Sequence, residues 1–161
     1  MKGAVDIRKD NIAKYLTNFG GSSSSLSFTL KLNSEPRKRG WYNIMTILTG
    51  RYYPYSVLPS IYLYWNHYIR FQFYYGNNRS VYYINLPPPQ VGKEYRVEFS
   101  QKAVAEFGIT LICAKISGSK PQCVANSNPI SFKVAMLMLT DSYHYNIGQI
   151  GAITDLKLTS E

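Results

Sequence analysis

The chain has 161 residues, with 18 lysines and arginines against 9 aspartates and glutamates, a net charge of +9. That length fits one domain of ordinary size that can bury a core without metals or a dense disulfide framework. Its 15 tyrosines and 7 phenylalanines point to strands over helices, and no apolar run is long enough to cross a bilayer as a helix.

Residues 1–24 read as an N-terminal arm. Ile12, Tyr15, Leu16 and Phe19 fall at helical spacing, Asp6 or Asp10 can cap the start, and Gly20 and Gly21 can end it. A short helix or irregular arm is expected, followed by a flexible Ser-rich connection. These first residues carry acidic side chains and no apolar signal-peptide core, so the chain is either intracellular or a domain of a longer secreted, surface or virion protein, and the second is the expectation that suits the other features.

The body, residues 25–161, is dense in strand signals. Leu26, Phe28, Leu30 and Leu32 alternate with Ser27, Thr29 and Lys31, the clearest period of two in the chain. Further strands are predicted at 42–48, 60–65, 69–75, 81–86, 95–99, 109–116 and 131–139, separated by segments rich in Gly, Pro, Asn and Ser. Pro87, Pro88 and Pro89 cannot sit inside a central strand. Many short strands without alternating helices argue an all-β fold, a two-sheet antiparallel sandwich of jelly-roll type.

Cys113 and Cys123 bracket a turn centred on Ser117, Gly118 and Ser119, which brings the two sulfurs near each other across a hairpin. A disulfide there would close a short loop and contribute about 2–3 kcal/mol; two reduced thiols are the alternative. Asn78-Arg79-Ser80 is an N-glycosylation acceptor sequence at a turn. At the end of the chain, Gly148 and Gly151 precede Ile153, Leu156 and Leu158, a strand whose alternation shifts once, as a β-bulge shifts it.

In this order the strands resemble the laminin-G-like and thrombospondin-N-terminal-like domains of the concanavalin-A-like jelly-roll superfamily, over residues 25 to 158. Ser25 to Leu32 is similar to the family's opening strand, Trp41 to Leu48 to the next, and Pro59 to Tyr64 with Ile69 to Phe73 to its paired central strands. Gly92-Lys-Glu-Tyr-Arg-Val97 stands where the family has Gly-x-x-Trp-His-x-Val, with Tyr95 for Trp and Arg96 for His. Ile109 to Cys113 is similar to the strand leading to a cysteine, and Gly148 to Leu156 to the closing Gly-x-Ile-x-x-Leu pattern. The resemblance implies an extracellular recognition or adhesion domain.

The chemistry of common enzymes is hard to find in the chain. Glu94 and Glu98 come nearest to a glycosidase pair, but Lys93 and Arg96 beside them favour the ionised form over a general acid. His67 and His144 lack partners at metal-ligand spacing, and Asp141 and Asp155 are too far apart in sequence to argue a calcium site. No phosphate-cradling glycine loop and no nucleophile elbow occur. The expectation is therefore a domain without catalysis, metal or cofactor.

What remains is binding. Arg37, Lys38 and Arg39 form a basic cluster in a loop beside Trp41, and Arg51 lies among tyrosines. Tyr62, Tyr64, Arg70, Gln72, Tyr74 and Arg96 would form one polar-aromatic face if their strands are neighbours. Rings cover the apolar faces of a pyranose while Arg and Gln bond its hydroxyl, sulfate or carboxylate groups. The expected partner is a glycan or glycosaminoglycan, heparin-like chains included, or a cell-surface or matrix protein; nucleic acid ranks below these for want of a module motif. The alternative is the glycan-binding head of a viral attachment spike with a galectin-like sandwich.

Overall fold

The alternation of the Leu26 to Leu32 stretch is realised in full: from Ser24 to Leu32 every second residue is buried and the residues between face outward. The computed structural model describes residues 4–5, 11–19, 23–48, 57–65, 67–75, 80–126, 132–139, 145–147 and 150–160. The strands among them are β1 (Ala4–Val5), β2 (Asn11–Phe19), β3 (Ser23–Leu32), β4 (Trp41–Leu48), β5 (Val57–Tyr64), β6 (Tyr68–Tyr75), β7 (Ser80–Leu86), β8 (Glu94–Val104), β9 (Ile109–Ile116), β10 (Gln122–Asn126), β11 (Phe132–Leu139), β12 (Tyr145–Asn146) and β13 (Gly151–Ser160). A short 3-10 turn, Ala105–Phe107, joins β8 to β9.

Two sheets result. The first has the order β1-β13-β3-β8-β9-β10, and the second β2-β11-β4-β5-β6-β7, with β12 beside β4. Pairing is antiparallel throughout except for β12, which runs parallel to β4. No helix among the described residues is long and apolar enough to cross a membrane.

The core lies between the sheets. Leu26, Phe28, Leu30, Val97, Phe99, Ile112 and Ile116 from the first meet Ile61, Leu63, Ile69, Phe71, Phe73 and Ile84 from the second. Phe99 joins them directly, stacking on Phe71 at 5.9 Å and on Phe73 at 5.5 Å between ring centroids. Stacked rings add directional attraction to the burial of large apolar surface, which fixes how the sheets sit on each other.

The expected N-terminal helix is corrected: residues 11–19 form a strand, paired to β11 from Asn11↔Leu139 to Phe19↔Phe132. The reason is visible in the register, which steps from Lys14 to Ile12 where β11 steps by one residue. Such a shift breaks the period of two, and a broken period of two imitates the spacing of three that reads as helix. Ser23 and Ser24, expected in a flexible connection, are the first residues of β3.

The closing strand carries its bulge as expected. Its register against β3 shifts between Thr154 and Lys157, and Asp155 within the shift has the left-handed φ of 51°. The Asp155 carboxylate accepts from the Thr29 hydroxyl at 3.5 Å and from that of Thr154 at 3.4 Å, which holds the exposed bulge to β3. Gly151, at the start of β13, lies so close to β3 that a Cβ there would stand 2.6 Å from the Lys31 carbonyl oxygen. Cys113 and Cys123 face each other in the register of β9 and β10 and are joined in a disulfide, with Cα atoms 4.1 Å apart.

Candidate functional site

Inward residues of β5 and β6 alternate with outward ones, so Tyr62 and Tyr64 on β5 share the outer face of the second sheet with Tyr68, Arg70 and Gln72 on β6. Register carries the same face to Trp41 on β4, paired with Tyr64, and to Tyr83 and Asn85 on β7, paired with Gln72 and Arg70. The face therefore crosses four adjacent strands.

Arg70 is its hub. The guanidinium carbon lies 4.8 Å from the Trp41 ring centre, 5.0 Å from that of Tyr68 and 4.3 Å from that of Tyr83. Arg70 Nε donates to Asn85 Oδ1 at 3.0 Å and Nη2 to the Tyr68 hydroxyl at 3.2 Å. Rings and acceptors together fix a half-buried cation in one orientation, and among the described residues its bonds run from Nε and Nη2 and none from Nη1. Around it Trp41 packs on Tyr64 at 4.5 Å, and Tyr64 stacks on Tyr68 at 5.5 Å and on His67 at 5.7 Å.

Beside this face runs the loop from β3 to β4. Arg37, Lys38 and Arg39 are exposed in it. The loop is tied down at three points: Trp65 Nε1 donates to the Pro36 carbonyl at 3.2 Å, the Trp65 backbone N–H to the Gly40 carbonyl at 3.0 Å, and the Tyr42 hydroxyl bonds both N–H and C=O of Lys38.

The electrostatics are one-sided. From Pro36 to Lys93 the sequence contains seven lysines and arginines and not one aspartate or glutamate. Strands β4 to β7 and the Pro36 to Gly40 part of the loop come from that stretch, with the exposed Glu35 just before it, so the acceptors on the strand face are phenols and amides. The strand face attracts anions and offers no carboxylate to a cation. Among the described residues no group of His, Cys, Asp and Glu is placed to hold a metal.

The structure redistributes the residues expected from sequence. Tyr64, Arg70 and Gln72 come together as foreseen, and Tyr74 continues β6 in register with Val81. Tyr62 is on the same face but only 4 % exposed, packed edge-on to Trp41 at 5.9 Å. Arg96 does not belong to the face: it sits on β8 in the other sheet, donating to the Ser27 hydroxyl and, at 3.2 Å, to the Asp155 carbonyl. Its strand pairs with β3 and β9, so the two arginines are separated by the whole core. Arg51 and Asn78 lie outside the described residues, as do Asp141 and His144.

Tyr68, Tyr83 and Asn85 are additions that the sequence reading missed. Period two on β6 and β7 groups each with its strand's other outward residues, but only the register shows that the groups adjoin Arg70. On the opposite sheet a groove of about 450 Å³ is lined by Ser25, Ser27, Glu98, Ser100, Lys115 and Pro121. The one ring in its lining, Phe99, is 3 % exposed and turned to the core, so the groove offers nothing on which a sugar can stack.

No protein-family model and no curated protein matches the sequence. Solved structures do match in shape. Alginate lyase A1-II′ is 10 % identical with a TM-score of 0.59, over 91 % of this chain and 65 % of the lyase. The galectin LEC-6 of Caenorhabditis elegans is 13 % identical with a TM-score of 0.54, over 97 % of this chain and 99 % of the galectin. The binding domain of botulinum neurotoxin DC, solved with SialylT, is 16 % identical with a TM-score of 0.60, over 89 % of this chain and 34 % of that one.

The fold is a two-sheet jelly-roll sandwich, the shape these structures share. Identities this low establish the jelly roll alone, and the chain spans less than two thirds of the length of the lyases. The expectation of a domain without catalysis is corrected by these matches. Alginate lyases are enzymes on the same sandwich, so the jelly roll does not set the chain apart from them.

Proposed function

We propose that the protein is an extracellular recognition domain of laminin-G-like or thrombospondin-N-terminal-like character that binds an acidic glycan of heparin type on the outer face of its second sheet. The single observation that carries this reading is Arg70, held among three rings on a face built from acid-free sequence. Rings of this kind cover apolar sugar faces, and a fixed guanidinium whose Nη1 donates to no described residue suits a sulfate or carboxylate. The galectin and toxin-domain matches support carbohydrate as the partner class. The disulfide supports an oxidising setting at a cell, matrix or virion surface.

A glycan array read at two salt concentrations tests the proposal. Acidic glycans should lead the hits and weaken with salt, and Arg70→Ala and Tyr64→Ala should each abolish them. Hits that survive both substitutions would sink it.

Cleavage of an acidic polysaccharide at the same face is a second reading, favoured by the Tyr68 phenol, which accepts from Arg70 at 3.2 Å. In eliminative cleavage the arginine would neutralise the uronate carboxylate, and the Tyr68 oxygen would take the proton next to that carboxylate and hand it to the glycosidic oxygen that leaves as the double bond forms. Incubation with alginate, followed by the ultraviolet absorbance of unsaturated uronate, decides between binding and cleavage. An unchanged Tyr68→Phe turnover would remove the phenol from any such role.

A further inference from the structure

We propose that the Arg37 to Arg39 loop and the aromatic face are one continuous binding surface, locked together by Trp65, that measures the length of an acidic glycan chain. The inference rests on the glycan reading above. Its starting point is an oddity of backbone: Trp65, between β5 and β6, has a φ of 43°. A bulky residue rarely adopts the left-handed region, and it persists there only where its surroundings hold it.

The tight turn from β5 to β6, closed by the His67 N–H on the Tyr64 carbonyl at 2.9 Å, puts it there, and the basic loop holds its side chain. Trp65 bonds to Pro36 through its indole N–H and to Gly40 through its backbone N–H, the residues on either side of Arg37-Lys38-Arg39. The Tyr42 hydroxyl grips Lys38, the middle residue of the three. A triplet of cations fixed at both ends and at its centre is a built feature, unlike a charge run at the tip of an unrestrained loop.

The same tryptophan connects that triplet to the ring face. Its ring meets His67 edge-on at 5.3 Å, His67 stacks on Tyr64, and Tyr64 packs on Trp41, which follows Gly40 in sequence. From Trp41 the rings and Arg70 continue across β5 and β6 to Tyr83 on β7, three inter-strand steps or about 14 Å. A short glycan occupies the ring face alone. A longer acidic chain continues past Trp41 to the cations, where its second contact is effectively intramolecular and multiplies affinity. Trp65 is a positioning residue in this scheme and touches no ligand.

Calorimetric titration with a heparin-derived disaccharide and octasaccharide tests it. The native protein is expected to bind the octasaccharide on the order of 100-fold more tightly. Arg37→Ala/Lys38→Ala/Arg39→Ala should remove most of that advantage and leave the disaccharide in place. Trp65→Phe keeps ring and charge but loses the indole donor, so a roughly ten-fold fall for the octasaccharide alone is a readout that net charge cannot produce.

Equal affinity for both lengths, or equal losses for both in the triple variant, would overturn the continuous surface. An unaltered octasaccharide affinity in folded Trp65→Phe would overturn the lock on the loop; if that variant does not fold, Tyr42→Phe, which releases Lys38, takes its place, and an unaltered octasaccharide affinity there would overturn the lock instead. Native protein that binds neither oligosaccharide would instead defeat the heparin reading on which the inference stands.

Discussion

The guanidinium of Arg70 lies 4.8 Å over the ring of Trp41, a residue two strands away in the same sheet. Lysine keeps the charge but loses the planar fork that stacks on rings and reaches Asn85 and Tyr68 together. Arg70→Lys should therefore weaken acidic-glycan binding about ten-fold, while unfolding in urea changes by about 1 kcal/mol or less because the site is partly open to solvent.

Phe99 is expected to behave oppositely. It is 3 % exposed and stacks on Phe71 and Phe73 across the sandwich. Phe99→Ala removes both stacks and leaves a cavity, at a cost of about 3–5 kcal/mol in chemical denaturation. Protein that remains folded should bind glycan as before.

Arg96→Ala separates the two sheets functionally. The substitution deletes bonds to Ser27 and to the Asp155 carbonyl, which hold the bulge of β13 against its neighbours. A loss of about 1 kcal/mol is expected in thermal or urea unfolding. Glycan affinity should be unaltered, and a fall in affinity would show that the first sheet takes part in binding.

Gly151→Ala tests how closely β13 approaches β3. The added Cβ would meet a backbone oxygen at 2.6 Å, and backbone cannot step aside as a flexible side chain can. A destabilisation of about 1–3 kcal/mol is expected, read as a lower denaturation midpoint.

Reduction of the Cys113–Cys123 bond, or the paired change of both residues to serine, should lower stability by about 2–3 kcal/mol, the value for a loop with a sequence separation of 10. The effect belongs to β9 and β10 in the first sheet. Glycan titration in the presence of a thiol reductant is expected to match the untreated protein.

Much of the fold was legible because period two is a strong signal where one face of a strand is buried, as from Ser24 to Leu32. That Cys113 and Cys123 face each other was legible from the turn between them, which left open whether they are bonded, and the bulge around Asp155 was legible as a single break in period two. The strand from Asn11 to Phe19 was not, since its register shift disguised the period and its partner β11 lies far along the chain. Site residues divide in the same way. Tyr64 and Arg70 could be seen as outward residues on neighbouring strands, whereas the exclusion of Arg96 and the inclusion of Tyr83 depend on the order of strands within each sheet, which no local pattern encodes.

The chain has two tryptophans, and both stand in this region: Trp41 under the Arg70 guanidinium and Trp65 at the root of the basic loop. No third indole elsewhere in the molecule dilutes their signal. The protein's own tryptophan emission is thus an optical gauge of the face and its loop: a saccharide settling on Trp41, or a loop loosened from Trp65, should register without any attached dye.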